Sequence, residues 1–252
     1  MNLYITILAG GLGKRMKSDI PKVLHRVGGI PMIVRIVRES KKMNPYKIIV
    51  VVGKYYCEIL KVLMDYNISD NITFAYQNDP LGTGDSVKST LGILQKSSIN
   101  IILNGDTPLI LYDTLRKVYN NYVERGNKLQ ITAIHIPNPT GCGRIIKDSS
   151  NRFVKIVEEK DCNDEQKKIT LVNCGVYIFD TGVLRKYVPL ITNNNASNEY
   201  YLTDIVDIYK TETGKDVGLY ELSRTKHNEM KNINTKEDLD RINKMLELYK
   251  SK

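Results

Sequence analysis

The stretch Leu8 to Lys22, LAGGLGKRMKSDIPK, decides how the chain is read. It follows the apolar run Leu3 to Leu8, carries glycines at 10, 11 and 13 and basic residues at 14, 15, 17 and 22, and has no hydrophobic period. Such a loop directly after a buried strand is built for an anion. Gly10, Gly11 and Gly13 allow positive φ and close backbone approach, so peptide N–H groups can turn inward around a polyphosphate. Lys14 and Arg15 add charge-assisted donors where the loop ends, and Pro21 stiffens the chain before Lys22. A Walker A loop is excluded, because Leu8 stands where its first glycine belongs and Arg15 where it needs Ser or Thr. A dinucleotide fingerprint fails at Met16, where its third glycine belongs. A flexible basic surface loop is the remaining alternative, and such loops rarely follow a buried strand directly.

Outward from this loop, β-branched runs alternate with helix-period segments. Leu3–Leu8, Lys47–Val52, Ile72–Tyr76, Asn100–Leu103 and Leu129–Ile136 predict strands; Met32–Lys42, Cys57–Tyr66, Asp85–Gln95 and Asp113–Arg125 predict helices. The alternation argues for a doubly wound α/β sheet, in which ligands sit beyond the carboxyl ends of the strands. After Ile136 the pattern changes to short strands, Pro137–Gly141, Arg144–Ile146, Phe153–Val157 and Leu171–Phe179, expected to form a smaller β lobe. Tyr201, Ile205, Ile208 and Tyr209 stand at helical spacing. Thr235 with Asp238 predicts the cap of a last helix with the apolar stripe Leu239, Ile242, Leu246 and Tyr249.

The 252 residues can bury one sizeable core, and 42% hydrophobic with 26% charged residues is the balance of a globular chain. The net charge of +9 is spread along the chain without a block of like charge or aromatic interleaving, so nucleic acid is not the expected partner. A basic surface also steers small polyanions such as nucleoside triphosphates. Cys57, Cys142, Cys162 and Cys174 show neither CxxC spacing nor a histidine cluster, so no zinc site or disulfide framework is indicated and a reducing cytoplasm is expected. No apolar run approaches the roughly 18 residues of a membrane span. His25, His135 and His227 are scattered, which argues against histidine-centred catalysis.

Two further loops follow predicted strands. In Gln77-Asn-Asp-Pro-Leu-Gly82-Thr83-Gly84 the glycines permit approach to a flat ring, and Gln77 offers a donor and an acceptor of the kind that reads a pyrimidine edge; taken alone, it reads first as an ordinary turn. Leu103-Asn-Gly-Asp106-Thr-Pro-Leu109 places a carboxylate on the side of the glycine loop, suited to Mg²⁺ on triphosphate oxygens or to capping the next helix.

LAGGLGKRM and Pro21-Lys-Val-Leu-His25 resemble the signature of the sugar-nucleotide pyrophosphorylases. Later segments are similar to the N-acetylglucosamine-1-phosphate uridyltransferase domain of the bacterial bifunctional enzymes. The resemblance implies one nucleotidyltransferase domain over 1–252, Rossmann-like and GT-A-like, with residues 1–136 binding nucleotide and 137–252 forming the sugar-binding part and closing helix. It implies nucleotide contacts at Leu8, Gly10, Gly11, Gly13, Lys14, Arg15, Gln77, Gly82 and Thr83, catalytic roles for Arg15 and Lys22, and Mg²⁺ held by Asp106 and Asn234. Gly141-Cys-Gly143-Arg144 resembles GYGR, Ile156-Val-Glu158-Glu-Lys-Asp161 resembles IVE-x-KD, and Asn173-Cys-Gly175 resembles NTG. Thr192-Asn-Asn-Asn195 and Asn198-Glu-Tyr-Tyr-Leu-Thr-Asp204 resemble TNNA and GEYY-x-TD. Gly143, Glu158, Asn173, Glu199 and Tyr201 are thereby the expected sugar contacts; without the resemblance Glu158 and Asn173 read as surface residues. Cys142, Cys174 and Asn104 depart from the pattern, and loss of a threonine hydroxyl at Cys174 predicts looser sugar preference.

The expected reaction is UMP transfer from UTP to N-acetylglucosamine 1-phosphate with release of pyrophosphate, by a cytoplasmic monomer or homodimer. The chain ends without hexapeptide repeats, so the acetyl-transferring β-helix domain of the bacterial enzymes is not expected. Another sugar 1-phosphate or dTTP is the alternative within the class. A catalytically silent nucleotide sensor is the alternative outside it, and retention of Arg15, Lys22 and Asp106 speaks against that.

Overall fold

The computed structural model describes residues 1–250. The strands are β1 Asn2–Leu8, β2 Arg26–Val27, β3 Ile30–Pro31, β4 Lys47–Val52, β5 Ile72–Tyr76, β6 Ser98–Asn104, β7 Leu129–His135, β8 Arg144–Lys147, β9 Phe153–Val157, β10 Leu171–Asp180 and β11 Gly218–Leu222. The helices are α1 Met32–Lys41, α2 Tyr56–Asp65, α3 Thr83–Lys88, α4 Tyr112–Arg125, α5 Asp164–Lys167, α6 Thr181–Tyr187, α7 Ile205–Thr213 and α8 Lys236–Lys250.

The main sheet runs β11-β7-β10-β6-β1-β4-β5, with the β8–β9 hairpin branching from β10. Alternate residues of one strand enter opposite layers: Ile48, Val50 and Val52 pack with α1, α2 and α4, whereas Ile49 and Val51 pack with α3, α6 and α7. Both faces are covered, which is why these strands read as unbroken apolar runs. From β1 the chain steps outward through β4 to β5, then returns to the other side of β1 as β6. The order therefore reverses between β1 and β6, and the carboxyl ends of these two strands border the crevice. Leu8 pairs with Asn104 at that edge, while Val52 pairs with Tyr76 further along it.

Three expectations need correction. Leu171–Asp180 is not part of a peripheral lobe: β10 lies inside the main sheet, antiparallel to both β6 and β7. Pro137–Gly141 forms no strand, since prolines at 137 and 139 donate no ladder hydrogen bond. The helix expected over Asp85–Gln95 ends at Lys88, where Ser89 Oγ and Thr90 Oγ1 bond back to the carbonyls of Ser86 and Val87, each at 2.7 Å, and compete with the helical ladder. α6 and β11 lie outside the predicted segments; β11 covers the edge of β7 in parallel register. Among the described residues no helix is long and apolar enough to cross a membrane.

Candidate active site

The loop after β1 makes a short 3-10 turn at Lys14–Met16, entered through Gly13 at φ 61°. Of the three loop glycines only Gly13 is left-handed. A Cβ there would lie 2.6 Å from Lys22 Cβ, so this glycine lets the two ends of the loop close on each other. Met16 is 2% exposed and packs with Val27, Met32, Leu109, Ile233 and Ile242, anchoring the loop to the last helix. The side chain that breaks the dinucleotide fingerprint is thus the loop's hydrophobic foot.

Closure brings Lys22 into the crevice. Its Nζ donates to Asp106 Oδ2 at 2.5 Å and to Asn234 Oδ1 at 2.7 Å, and Arg15 donates to the same Asn234 oxygen at 2.9 Å. The lysine and aspartate side chains are 14% and 20% exposed, a setting in which charge counts for more than on an open surface. Asp106 follows β6, and its carbonyl accepts from Ile233 N at 2.9 Å, which pins the Asn234 segment beside it. Asp238 Oδ2 accepts from the backbone N–H of both Asn234 and Thr235, and Asp238 N donates to Thr235 Oγ1. The predicted cap of α8 therefore also aims Asn234.

Asp106 Oδ1 is buried and, among the described residues, has no hydrogen-bond partner. A second carboxylate oxygen left bare beside an amide oxygen fits a hard divalent cation such as Mg²⁺, which takes one or two protein oxygens and keeps waters.

A cleft of about 480 Å³ gathers Leu8, Gly10, Gly11, Gly13, Lys14, Arg15, Lys22, Gln77, Gly82, Thr83, Asp106, Glu199 and Asn234, which unites all the expected nucleotide, catalytic and metal positions. Glu199 reaches it because the loop before α3 is zipped to the segment before α7. Tyr200 N donates to the Leu81 carbonyl at 2.8 Å, Gly84 N to the Tyr200 carbonyl at 2.7 Å, and Leu202 N to Thr83 Oγ1 at 3.0 Å. Gly82, at φ 122°, is required here, since a Cβ would stand 2.6 Å from the Tyr200 oxygen. Ser86 also lines the cleft, a residue the sequence reading passed over although it directly follows the glycine turn.

The other expected sugar residues are not on this cleft. Glu158 and Tyr201 line a second cavity of about 270 Å³ with Asp161, Asn195, Asp204 and Asp207. Glu158 accepts from Thr203 Oγ1 at 2.8 Å; burial raises its pKa, opposed by that hydrogen bond. Burial, then the charges of Glu158, Asp207 and Asp161, pushes Asp204 up to about 6. Burial likewise raises Tyr201. Asn173 N donates to the Gly143 carbonyl at 2.9 Å, which joins these two positions. The Asn173 side chain is held at a register shift in β10, donating to Tyr177 Oη at 2.6 Å and accepting from Gly175 N at 3.1 Å. Cys174 faces the opposite layer, 4% exposed in the core, so its thiol is a packing group rather than a lost sugar donor.

The Nucleotidyl transferase family model matches residues 5–223. "Probable UDP-N-acetylglucosamine pyrophosphorylase" of Acanthamoeba polyphaga mimivirus is 53% identical over 241 residues, 95% of this chain and 94% of its own. "Bifunctional protein GlmU" of Caldanaerobacter subterraneus is 43% identical over 84% of this chain, a match that spans 46% of that longer protein. The structure of HddC from Yersinia pseudotuberculosis shares the fold at TM-score 0.67 and 20% identity, covering 98% of this chain and 100% of its own. With the family model matched over most of its length, the chain belongs to the Nucleotidyl transferase family.

Proposed function

We propose that the chain is a UDP-N-acetylglucosamine pyrophosphorylase, transferring UMP from UTP to N-acetylglucosamine 1-phosphate and releasing pyrophosphate. The observation that carries this reading is the grouping of Lys22, Asp106, Asn234 and Arg15 under a glycine loop at the switch point of the sheet. The end-to-end likeness to the mimivirus protein supports the choice of sugar and base.

An oxygen of the sugar phosphate attacks the α-phosphorus, and the bond from that phosphorus to the leaving pyrophosphate breaks. The attacking oxygen is already anionic, so no protein nucleophile or general base is needed, and catalysis is positioning and charge stabilisation. The loop backbone from Gly10 to Gly13 cradles the triphosphate. Lys14 and Arg15 hold the β- and γ-phosphates, and Lys22 holds the α-phosphate against the sugar phosphate. Asp106 and Asn234 would hold Mg²⁺, which when bound neutralises phosphate charge. The base lies against Gln77, Gly82 and Thr83. The sugar extends past Glu199 toward Asn173, Gly143, Glu158 and Tyr201.

The test is pyrophosphate release from a panel of nucleoside triphosphates against a panel of sugar 1-phosphates. The highest kcat/KM is expected for UTP with N-acetylglucosamine 1-phosphate. A different best pair would reassign the substrate, and no release with any pair would remove the activity.

A further inference from the structure

Gln77 is 5% exposed, and the hydrogen bonds around its amide leave it only one way to face a ligand. Nε2 donates to the Gly82 carbonyl at 3.1 Å and to Asp85 Oδ2 at 2.8 Å. A carbonyl and a carboxylate can only accept, so both protons of the amide nitrogen are committed and its orientation is set. Oε1 accepts from Ser86 Oγ at 2.7 Å and stands 2.9 Å from where a Cβ on Gly10 would be, beside Gly10 and Ser86, which line the same cleft as Gln77. Ser86 Oγ also lies 3.1 Å from the Gly82 carbonyl, but its single proton belongs on Gln77, because otherwise two oxygens would face at 2.7 Å with no hydrogen between them. Gln77 therefore presents one lone pair and no donor.

We infer that Asp85 is a specificity-determining positioning residue: by holding Gln77 as a pure acceptor, it selects a pyrimidine with N–H at ring position 3 over one with a bare nitrogen there. Uracil and thymine carry that N–H; cytosine carries a lone pair that would face the Gln77 oxygen. Asp85 does not line the cleft itself and lies on the far side of the loop, beside Leu81, Gly84 and Tyr200. Its influence on the base passes through Gln77. With Asn at 85 the new amide could donate to a rotated Gln77, and the Ser86 hydroxyl could accept, which leaves only the Gly82 carbonyl to oppose the donor-forward orientation. The inference rests on the uridyl-transfer reading for the placement of the base.

Equilibrium binding of UTP and of CTP to the whole chain, without sugar phosphate, tests it. The wild type is expected to prefer UTP by at least tenfold, the effect of one mispaired buried polar group. Asp85→Asn is expected to lower that ratio at least threefold while CTP affinity rises. A merely structural role would weaken both nucleotides in parallel, and an unchanged ratio overturns the inference. Should Asp85→Asn fail to fold, Asp85→Ala removes one of the two acceptors that commit Nε2 and must also narrow the ratio; a wild-type ratio there overturns the lock. A wild type that prefers UTP yet releases no pyrophosphate with any sugar phosphate sinks the transferase reading and leaves the lock standing. One that binds UTP and CTP equally sinks the lock alone.

Discussion

Lys22 Nζ bridges Asp106 Oδ2 and Asn234 Oδ1, so one ammonium ties the loop after β1 to the loop after β6 and to the residue before the cap of α8. A cation at that point serves two purposes. It offsets the acidity of the proposed metal site and stands ready for the phosphate that undergoes substitution. Removing a preorganised donor of this kind typically costs about a hundred- to a thousandfold in turnover. Lys22→Ala and Arg15→Ala should each fall in that range in steady-state kinetics, with the thermal melt retained. Activity like the wild type's in either variant would remove that residue from the phosphate assignment.

The bare Asp106 Oδ1 gives the metal reading its own test. EDTA should abolish pyrophosphate release, and Mg²⁺ should restore it in the wild type but not in Asp106→Ala. Undiminished turnover in EDTA would separate Asp106 and Asn234 from any metal.

Gly13 should be intolerant of the smallest side chain. Alanine at φ 61° costs roughly 1–2 kcal/mol, and its Cβ would press on Lys22 Cβ from 2.6 Å. Gly13→Ala is expected to lose at least about tenfold in kcat, because Lys22 is displaced from Asp106. Full activity would show that the loop's closure on Lys22 is not needed.

For the sugar, replacing the acetamido group by an ammonium should lower kcat/KM at least about tenfold, the cost of leaving buried polar partners unpaired. The measurement is a comparison of N-acetylglucosamine 1-phosphate with glucosamine 1-phosphate. Cys174→Thr should leave that ratio unchanged while lowering stability by about 1–3 kcal/mol, since it places a hydroxyl among apolar neighbours. Equal efficiency with the two sugars would break the pocket assignment.

Asp204, with its carboxyl pushed up to about 6 by burial and by Glu158, Asp207 and Asp161, carries a pH signature. The folded chain holds that proton more tightly than the unfolded one, so the group favours folding at low pH and loses that contribution as pH rises through about 6. Asp204→Asn should therefore stabilise the chain at pH 8 by on the order of 1 kcal/mol after solvent screening, and the gain should shrink toward pH 4. Thermal melts of both proteins across that range check it. A gain that grew on acidification would have the wrong sign.

What the sequence determined by itself was what is written in consecutive residues. The apolar runs of β1, β4, β5 and β6 and the helical period of α1, α2 and α4 are local, because side-chain alternation and the 3.6-residue turn are properties of single segments. The glycine turns and Asp106 could be placed beside one another because a strand's carboxyl end fixes where its loop begins. Only the tertiary structure put β10 antiparallel inside the sheet, since strand pairing depends on backbone hydrogen bonds between distant segments and leaves no periodic mark. It also gave Met16 its anchoring role, set Glu199 apart from Tyr201, and spent both donors of Gln77 on Gly82 and Asp85. Arg15 and Asn234 share a hydrogen bond across 219 positions of chain, and such a partner is chosen by packing, which residue type and spacing do not encode.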